Sequence, residues 1–386
     1  MSGRVRLGRV VILTLGGLAT VFAWLLWDTE PNMARRWLYP LKGELSAWST
    51  ECNSGTPSWV SQLTKSLARE FASPANQVVF VTAAGESHGC VSGWADTPFM
   101  SKKIDENTRF RLASVSKAVS FIGLVHHDKK WLDRRLVDVL GLQGPFSDPR
   151  VKDIRIRNLL DHSAGFDRKF TEDAMVIRDR QPWCPYIPSK LTSVRLDFAP
   201  GARFAYANIG HCLAGSAFEG YFGMTVWEVL ENDLHLFSYG VNYLEKVDSP
   251  VRFNFMNEGF YDENFVRYFD WHALRGSMGL TGNARGLAQF IWNNRSDLRF
   301  ARQLHIQADP RCEAGLAEGC YDGFLERRNL KDGAVIWNQK GYLYGMSSML
   351  VADEKDNILV WLGSGSSIDG GGAYDLVQDS FARASK

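Results

Sequence analysis

Strand-like segments lie near both ends of this chain and are separated by a long stretch of helical character. Apolar or alternating runs occur in QVVFVTAAG and CVSGWAD near one end, and in MSSMLVAD and NILVWLGSGS near the other. Residues from about 130 to 330 show mainly helical and loop-like patterns, and a stretch this long is not a loop. We therefore predict an α/β fold of the α+β type, with one antiparallel sheet formed by the N- and C-terminal strands and a large, mostly helical insertion.

Amphipathic helices are predicted beside these strands. SWVSQLTKSLAREF, residues 58–71, and AYDLVQDSFARAS near the C-terminus both place apolar residues on one helix face. We expect these two helices to cover one face of the sheet and the helical insertion to cover the other. Residues 58–386 are then one domain with two lobes rather than two independent domains.

The N-terminal segment differs from the rest of the chain. Basic residues precede an uncharged run from Val10 to Trp27, which is about the shortest length that spans a bilayer. No small-residue cleavage site follows this run. We predict an uncleaved membrane signal-anchor in residues 1–30, with a cleaved signal peptide as the alternative, and a tether in residues 31–57.

The flanks of the uncharged run indicate its orientation only weakly. Lys and Arg are equally frequent before it and soon after it, while the acidic residues Asp28 and Glu30 follow it directly. This flank favours an N-terminus inside the cell. The predicted location is the inner (cytoplasmic) membrane, with a single pass and the domain on the periplasmic side.

Composition and cysteine spacing limit the possible partners. Charged residues make up 23% of the chain and the net charge is +1, which gives no sign of nucleic-acid binding. The 6 cysteines include no C-x-x-C pair and the chain has no H-E-x-x-H, so we predict neither a metal site nor a cofactor.

The same cysteines suggest disulfides. Cys312 and Cys320 bracket a short loop that a disulfide would close, and Cys52 and Cys90 would pair across the start of the domain. For Cys184 and Cys212, the sequence leaves both a disulfide and free buried thiols open.

The stretch FRLASVSKAV contains the first candidate for chemistry. Ser114 and Lys117 are three residues apart, so both side chains lie on one face of a helix turn. Ser114 follows the strand-like run 110–113 and precedes a helical run, where serine is a natural cap near the positive end of the helix dipole. A buried lysine of lowered pKa would take the proton of the serine hydroxyl and make it a nucleophile. The alternative is an ordinary cap beside a solvated lysine, since S-x-x-K alone is common by chance.

A second candidate lies in FAPGARFAYANIG, residues 198–210. Tyr206 and Asn208 are two residues apart on a short extended loop, so both can face the same way. A tyrosine near a lysine ionises more easily and can serve as a proton shuttle, and an asparagine amide can hold a substrate carbonyl and a lysine at once. The alternative is a buried aromatic residue followed by a turn asparagine.

Taken together, four segments resemble the serine β-lactamase superfamily, which contains class C β-lactamases, D-alanyl-D-alanine carboxypeptidases and related esterases. The segments are FRLASVSK, LLDHSAGF, FAPGARFAYAN and GLTGNARGLAQF, in this order and at suitable spacing. The resemblance covers residues 58 to 385 and implies an acyl-enzyme mechanism. Ser114 would be the nucleophile, Lys117 and Tyr206 would manage its proton, and the Ser114 N–H would form half of an oxyanion hole.

The chain departs from this family in its third motif. Family members have K-T-G or H-x-G there, whereas this sequence has WNQKGYLYGM. Gly341 aligns with the motif glycine, Gln339 takes the place of the cation, and Tyr342 would supply the second oxyanion N–H. Lys340 is adjacent, but strand side chains alternate between faces, so it points away unless the register is shifted by one.

The missing cation affects which substrate we expect. A neutral Gln339 gives up a charge-assisted contact to a substrate carboxylate, worth roughly 1.5–3 kcal/mol. The predicted function is therefore a serine hydrolase that acts on an ester or amide of a small molecule or a cell-envelope component outside the cytoplasm. The alternatives are a penicillin-binding D,D-carboxypeptidase or β-lactamase, and a catalytically silent binding protein of the same fold. His162 and His211 are expected to be structural.

Overall fold

The computed structural model describes residues 28–173, 181–244, 269–303, 320–330, 332–343, 345–365 and 371–384, together with residues 20, 21, 24 and 312. The predicted signal-anchor, residues 1–30, lies almost wholly outside this described part. Within the described part, no helix combines the length and the apolar character needed to cross a bilayer.

Eight of the strands in the described part form one sheet. In chain order the strands are β1 (Glu51–Cys52), β2 (Ala75–Val81), β3 (Ser87–Gly93), β4 (Phe110–Arg111), β5 (Asn242–Tyr243), β6 (Leu280–Gly282), β7 (Cys320–Asp322), β8 (Leu325–Asn329), β9 (Val335–Leu343), β10 (Met346–Asp353) and β11 (Ile358–Ser364). The large sheet has the order β1-β3-β2-β11-β10-β9-β8-β7, and β4, β6 and β5 form a small second sheet.

The two ends of the chain meet in the centre of the large sheet. β2 pairs with β11 in antiparallel orientation, with Val79 opposite Val360. On either side of this pair lie the N-terminal strands and the hairpins of β8 to β11, and every pairing in the sheet is antiparallel. The predicted sheet of N- and C-terminal strands is therefore confirmed.

Helices occupy both faces of this sheet and much of the intervening chain. In chain order they are α1 (Pro31–Trp48), α2 (Ser58–Glu70), α3 (Ser116–Val125), α4 (Leu136–Val139), α5 (Ile156–Leu160), α6 (Ile209–Phe222), α7 (Val226–Glu228), α8 (Trp271–Leu274), α9 (Ala284–Asn293), α10 (Arg295–Gln303) and α11 (Gly372–Ala384). Short segments of 3-10 helix cover Ala113–Val115, Lys130–Asp133, Pro149–Asp153, Pro188–Ser193 and Leu236–Tyr239, and a π-helical turn covers Val229–Asp233.

The core has two parts because both faces of the sheet are covered. On one face, α2 and α11 pack against side chains such as Phe80 and Trp361. On the other face, the helical insertion packs against side chains such as Val79 and Val360. Successive strand residues point to opposite faces, so burial of both faces explains why these strands read as continuous apolar runs. The predicted layers are confirmed.

Residues 31–57, predicted as a tether, contain α1 and β1. Pro31 lies at the first helical position, where proline is well tolerated. The Tyr39 hydroxyl donates to the Ala68 carbonyl at 2.6 Å, and β1 pairs with β3. The prolines that suggested a linker are thus compatible with a helix, and ordered structure begins before residue 58.

All six cysteines are paired in the structure. The disulfides are Cys52–Cys90, Cys184–Cys212 and Cys312–Cys320, and no free cysteine remains. The first and third were predicted, and the sequence had left the second open. Cys212 lies on α6 and Cys184 lies in the segment before it, so the disulfide ties that segment to the helix.

Candidate active site

The turn that carries Ser114 is held from two directions. Ser114 lies on the 3-10 turn Ala113–Val115 between β4 and α3, and only 8% of it is exposed. The Leu112 N–H before the turn donates to the Leu280 carbonyl at 2.8 Å, and the Leu112 carbonyl accepts from the Ser348 hydroxyl at 2.7 Å. Strand β6 and strand β10 therefore fix the position of this serine.

Ser114 is not a helix cap. The N-cap of α3 is Val115, and no side chain caps that helix. Ala113 has a φ of 46° in the left-handed region, which non-glycine residues adopt at some cost. The predicted cap is wrong because this tight turn separates Ser114 from the first helical residue and leaves its hydroxyl available for other contacts.

Lys117 lies on the first turn of α3 and is fully buried. Its Nζ is 3.1 Å from Ser114 Oγ, 2.8 Å from Asn208 Oδ1 and 3.0 Å from the Ser277 carbonyl oxygen. The predicted alternative of a solvated lysine is therefore excluded. The structure also brings in Ser277, which no sequence motif marks.

These contacts determine where a neutral Lys117 amine would point its lone pair. The carbonyl oxygens of Asn208 and Ser277 can only accept hydrogen bonds, and a neutral amine has two N–H bonds to give. With both N–H bonds engaged there, the lone pair points to Ser114 Oγ. In this arrangement the Ser114 hydroxyl donates to the amine.

Burial favours this neutral form of Lys117. Desolvation lowers the pKa of Lys117 from its ordinary value of 10.5 to about 7. The Asp173 carboxylate opposes this effect and raises the pKa, while the Arg168 charge lowers it further. A substantial fraction of the amine is therefore unprotonated near neutral pH.

Tyr206 contacts both Ser114 and Lys117. The Tyr206 hydroxyl donates to Ser114 Oγ at 2.7 Å, and Lys117 Nζ lies 4.9 Å from the centre of the Tyr206 ring. We expected the lysine to make this tyrosine easier to ionise. Burial instead raises the pKa of Tyr206 well above its ordinary value, although part of the residue remains exposed to solvent. Tyr206 is therefore a protonated donor in the resting site.

Asn208 connects Lys117 to an ion pair between the buried Asp173 and the exposed Arg168. Its Oδ1 accepts from Lys117, while its Nδ2 donates to Asp173 Oδ1 at 3.3 Å and to Oδ2 at 3.4 Å. Asp173 is in turn bound by Arg168 Nε at 3.0 Å. Neither Arg168 nor Asp173 was selected from the sequence, because no motif marks their loop and only the fold brings it against α6.

The register of β9 separates Gln339 from Lys340. Gln339 is opposite Leu350, which belongs to the core on the Ser114 face, and Lys340 is opposite Met349, which belongs to the other face. Lys340 Nζ binds Glu326 Oε1 at 2.9 Å. Gln339 is buried, and its Oε1 has no hydrogen-bond partner in the described part of the protein. The alternation expected from the sequence thus holds in the structure.

Gly341 touches the turn that carries Ser114. A Cβ added at Gly341 would lie 2.1 Å from Ser348 Oγ, 2.7 Å from the Leu112 carbonyl oxygen and 3.1 Å from the Val115 nitrogen. Glycine is therefore needed for β9 to lie this close to the turn.

Tyr342 follows Gly341 and is 43% exposed. Along the described strands, the pairing of β8 with β9 ends at Asn338. The stretch 339–343 therefore extends past the end of its pairing with β8.

The two histidines pack behind Tyr206 without reaching Ser114. The His162 ring lies 4.3 Å from the Tyr206 ring and 5.5 Å from the His211 ring. Burial lowers the pKa of His162 to about 3 and that of His211 well below its ordinary value. Both are neutral rings with a structural role, as the sequence predicts, and His162 Nδ1 accepts from the Ala207 N–H at 3.3 Å. Across the described residues no group of His, Cys, Asp or Glu side chains could hold a metal ion.

Comparison with known proteins identifies related sequences. The sequence model of the Beta-lactamase family matches residues 75–366, a span that contains Ser114, Lys117, Tyr206 and β9. A protein of Dichelobacter nodosus described as "Probable fimbrial assembly protein FimD, serogroup H1" is 32% identical over 336 residues, which cover 85% of this chain and 84% of that protein.

Solved structures share the fold at low sequence identity. The beta-lactamase/D-alanine carboxypeptidase of Pseudomonas syringae superposes with a TM-score of 0.63 at 14% identity, over 85% of this chain and 98% of that one. The D-amino acid amidase of Ochrobactrum anthropi, in complex with D-phenylalanine, gives a TM-score of 0.60 at 15% identity over 85% and 98%. The expected fold is confirmed by both.

The contact between β9 and the Ser114 turn leads to a first prediction. Gly341→Ala will lower the free energy of unfolding by about 1–3 kcal/mol, because a methyl group there forces β9 and the turn apart. Urea denaturation measures this loss. Gly215→Ala is the matched control, since a Cβ at Gly215 on α6 meets nothing within 4 Å. Equal stability of the two variants would contradict the close contact.

A second prediction concerns the charge balance around Lys117. Asp173→Asn will lower the pKa of Lys117 below its value of about 7, since the carboxylate raises it, and Arg168→Gln will raise it. Carbon-13 NMR of labelled lysine follows this titration directly. Shifts in the same direction for both variants would mean that their charges do not act on Lys117.

Proposed function

Because this chain belongs to the Beta-lactamase family, with a match over residues 75–366, we propose that it is a serine hydrolase that cleaves an ester or amide through an acyl-enzyme on Ser114. The observation that carries this proposal is the position of Ser114 Oγ between Lys117 Nζ at 3.1 Å and the Tyr206 hydroxyl at 2.7 Å. A neutral amine and a protonated phenol around one hydroxyl are suited to proton transfer in opposite directions.

The first half of the reaction forms the acyl-enzyme. Ser114 Oγ attacks the substrate carbonyl carbon and its proton moves to the lone pair of Lys117. The carbonyl oxygen takes up negative charge and is stabilised by the N–H groups of Ser114 and Tyr342. When the carbonyl forms again, the bond to the leaving group breaks. Tyr206 donates its proton to the leaving group and recovers one from the Lys117 ammonium.

The second half removes the acyl group. A water molecule gives its proton to the base formed by Lys117 and Tyr206 and attacks the acyl carbon. The bond to Ser114 Oγ then breaks, and the serine oxygen recovers a proton from the same pair. Since Lys117 must be neutral at the start of each half, the rate rises as the pH rises through about 7.

The third motif favours an esterase or amidase over a β-lactamase or carboxypeptidase. Gln339 offers no charge on the Ser114 face of β9, and Lys340, on the other face, is bound to Glu326. A carboxylate at that place would lack its charge-assisted partner. The Asn208 amide, which the sequence predicts to bind substrate, is engaged at both ends in the resting site, by Lys117 at Oδ1 and by Asp173 at Nδ2.

We place the protein at the inner membrane, with its domain on the periplasmic side. Three disulfides are typical of proteins that fold outside the cytoplasm. The uncharged run from Val10 to Trp27 would be the anchor. On α1, close behind it, Trp37, Leu41 and Trp48 are largely exposed, and tryptophan is enriched where a protein meets the membrane surface.

A second candidate function follows from the relative of 32% identity, which is described as a probable fimbrial assembly protein. Under this alternative the chain takes part in fimbrial assembly, and it would need no turnover if it acted as a silent binding protein. The intact contacts among Ser114, Lys117 and Tyr206 support the hydrolase. Covalent labelling decides between them.

Ser114→Ala will abolish hydrolysis of p-nitrophenyl esters and labelling by a fluorophosphonate probe, because the variant has no hydroxyl to acylate. Lys117→Ala and Tyr206→Phe will each lower acylation by about 10²–10⁴-fold, the usual scale for a proton-transfer group. Their combined loss will be smaller than the product, because both act on one proton.

The control for these variants is an unchanged melting temperature with retained disulfides. Hydrolysis by Ser114→Ala at the wild-type rate would remove this serine from the mechanism. Labelling of the wild type by fluorescent penicillin in preference to the fluorophosphonate would instead favour the penicillin-binding alternative, and no labelling by either would favour the silent binding protein.

Deletion of residues 1–30 will release the protein from the membrane fraction, while the full chain will stay in that fraction after a high-salt wash. The reason is the uncharged run from Val10 to Trp27. Immunoblotting of separated fractions measures the distribution. A mature form that begins near Asp28 and is found outside the membrane fraction would favour a cleaved signal peptide.

A further inference from the structure

Arg168 brings a positive charge to this site from a loop outside the third motif. Arg168 Nε binds Asp173 Oδ2 at 3.0 Å, Asp173 accepts from Asn208 Nδ2, and Asn208 Oδ1 binds Lys117. Three contacts therefore join the guanidinium to the buried lysine. β9 contributes no cation on this face, since its position is taken by Gln339.

The loop that presents Arg168 is held rigidly. The Asp197 carboxylate accepts from the Asp167 N–H at 2.7 Å, the Phe170 N–H at 2.9 Å and the Thr171 hydroxyl at 3.2 Å. Arg168 itself has a φ of 64°, in the left-handed region that an arginine adopts at some cost. A conformation of this kind persists where the surrounding contacts enforce it, and such positions concentrate at functional sites.

The ion pair with Asp173 engages only one of the N–H donors of Arg168. The Asp173 side chain is 3% exposed, whereas 54% of the Arg168 side chain remains exposed. A guanidinium has five N–H donors in a planar fork, and Nε supplies only one of them. An arginine held by its Nε, with this much surface open to solvent, keeps its Nη groups available to bind a carboxylate.

We propose that Arg168 binds a carboxylate of the substrate and supplies the anion recognition that Gln339 lacks. The proposal rests on the proposed hydrolase function and adds its substrate class, which is an ester or amide with an anionic group. Arg168 is connected to Lys117 through Asp173 and Asn208, whereas the cation of the third motif would stand on β9 at Gln339. The test uses one pair of esters for a carboxylate in the acyl part and a second pair for a carboxylate in the leaving group.

The kinetic test compares esters that differ by one carboxylate. Mono-p-nitrophenyl glutarate is set against p-nitrophenyl valerate, and 4-acetoxybenzoate against phenyl acetate. We expect Arg168→Gln to lower kcat/KM by tenfold or more for at least one anionic ester, which corresponds to about 1.4 kcal/mol or more, and by less than about threefold for its neutral partner. Rates are compared well above the Lys117 pKa of about 7, since losing this charge also raises that pKa.

Two further variants test whether the effect belongs to this guanidinium. Lys169→Gln removes a like charge from the same loop. It should change the ratio of kcat/KM for each anionic ester to that for its neutral partner by less than about threefold. Arg168→Lys keeps the charge but loses the fork, so we expect an intermediate loss for the anionic ester. Equal losses for anionic and neutral esters would mean that Arg168 only supports Asp173 and Asn208, and no loss would leave it without a role. Both results overturn the proposal.

A binding measurement separates this proposal from the hydrolase itself. In a Ser114→Ala background, calorimetry with the two anionic esters reads anion recognition without turnover. We expect Arg168→Gln to weaken binding of one of them at least tenfold. If this binding is observed but the wild-type protein hydrolyses none of the esters, the result would count against the hydrolase and for the anion site. Absence of any binding that depends on Arg168 would overturn the anion site even if hydrolysis is observed.

Discussion

The arrangement of the site depends on one buried amine. Lys117 is completely enclosed, and its Nζ faces three oxygen atoms, of which those of Asn208 and Ser277 can only accept. A charged ammonium would bond to all three, but its desolvation is costly, and this cost brings the pKa of Lys117 to about 7. The neutral amine satisfies the two obligate acceptors and leaves its lone pair for Ser114. Geometry and desolvation thus select the same protonation state.

The fold supplies the enclosure through elements that are distant in sequence. α3 carries Lys117, the start of α6 carries Asn208, and the segment before β6 carries Ser277. The central sheet fixes the other side, because Gly341 lets β9 approach the turn of Ser114 and Ser348 bonds to Leu112. The pairing of β2 with β11 in turn holds both halves of the chain in this sheet.

The parts of the site that follow local patterns could be predicted from the sequence. The spacing of Ser114 and Lys117 and of Tyr206 and Asn208, and the face of β9 on which Gln339 lies, all follow from helix and strand periodicity. The paired sheet followed from apolar runs that reflect burial on both faces. The tight turn before α3 could not be predicted, because the left-handed Ala113 that defines it has no composition signal. α1 could not be predicted either, because its prolines resemble those of a linker.

Contacts that depend on long-range packing were also beyond the sequence, and they include the charges that adjust the site. Asp173 raises the pKa of Lys117 and Arg168 lowers it, so the two charges of the ion pair act in opposite directions at the amine. Burial is the largest cause of the lowered pKa, as it is for Tyr206 with the opposite sign. Asp173 needs only the Nε of Arg168 for this ion pair, and most of the guanidinium stays exposed. That exposure, rather than the effect of Arg168 on Lys117, is the feature that indicates a role in binding substrate.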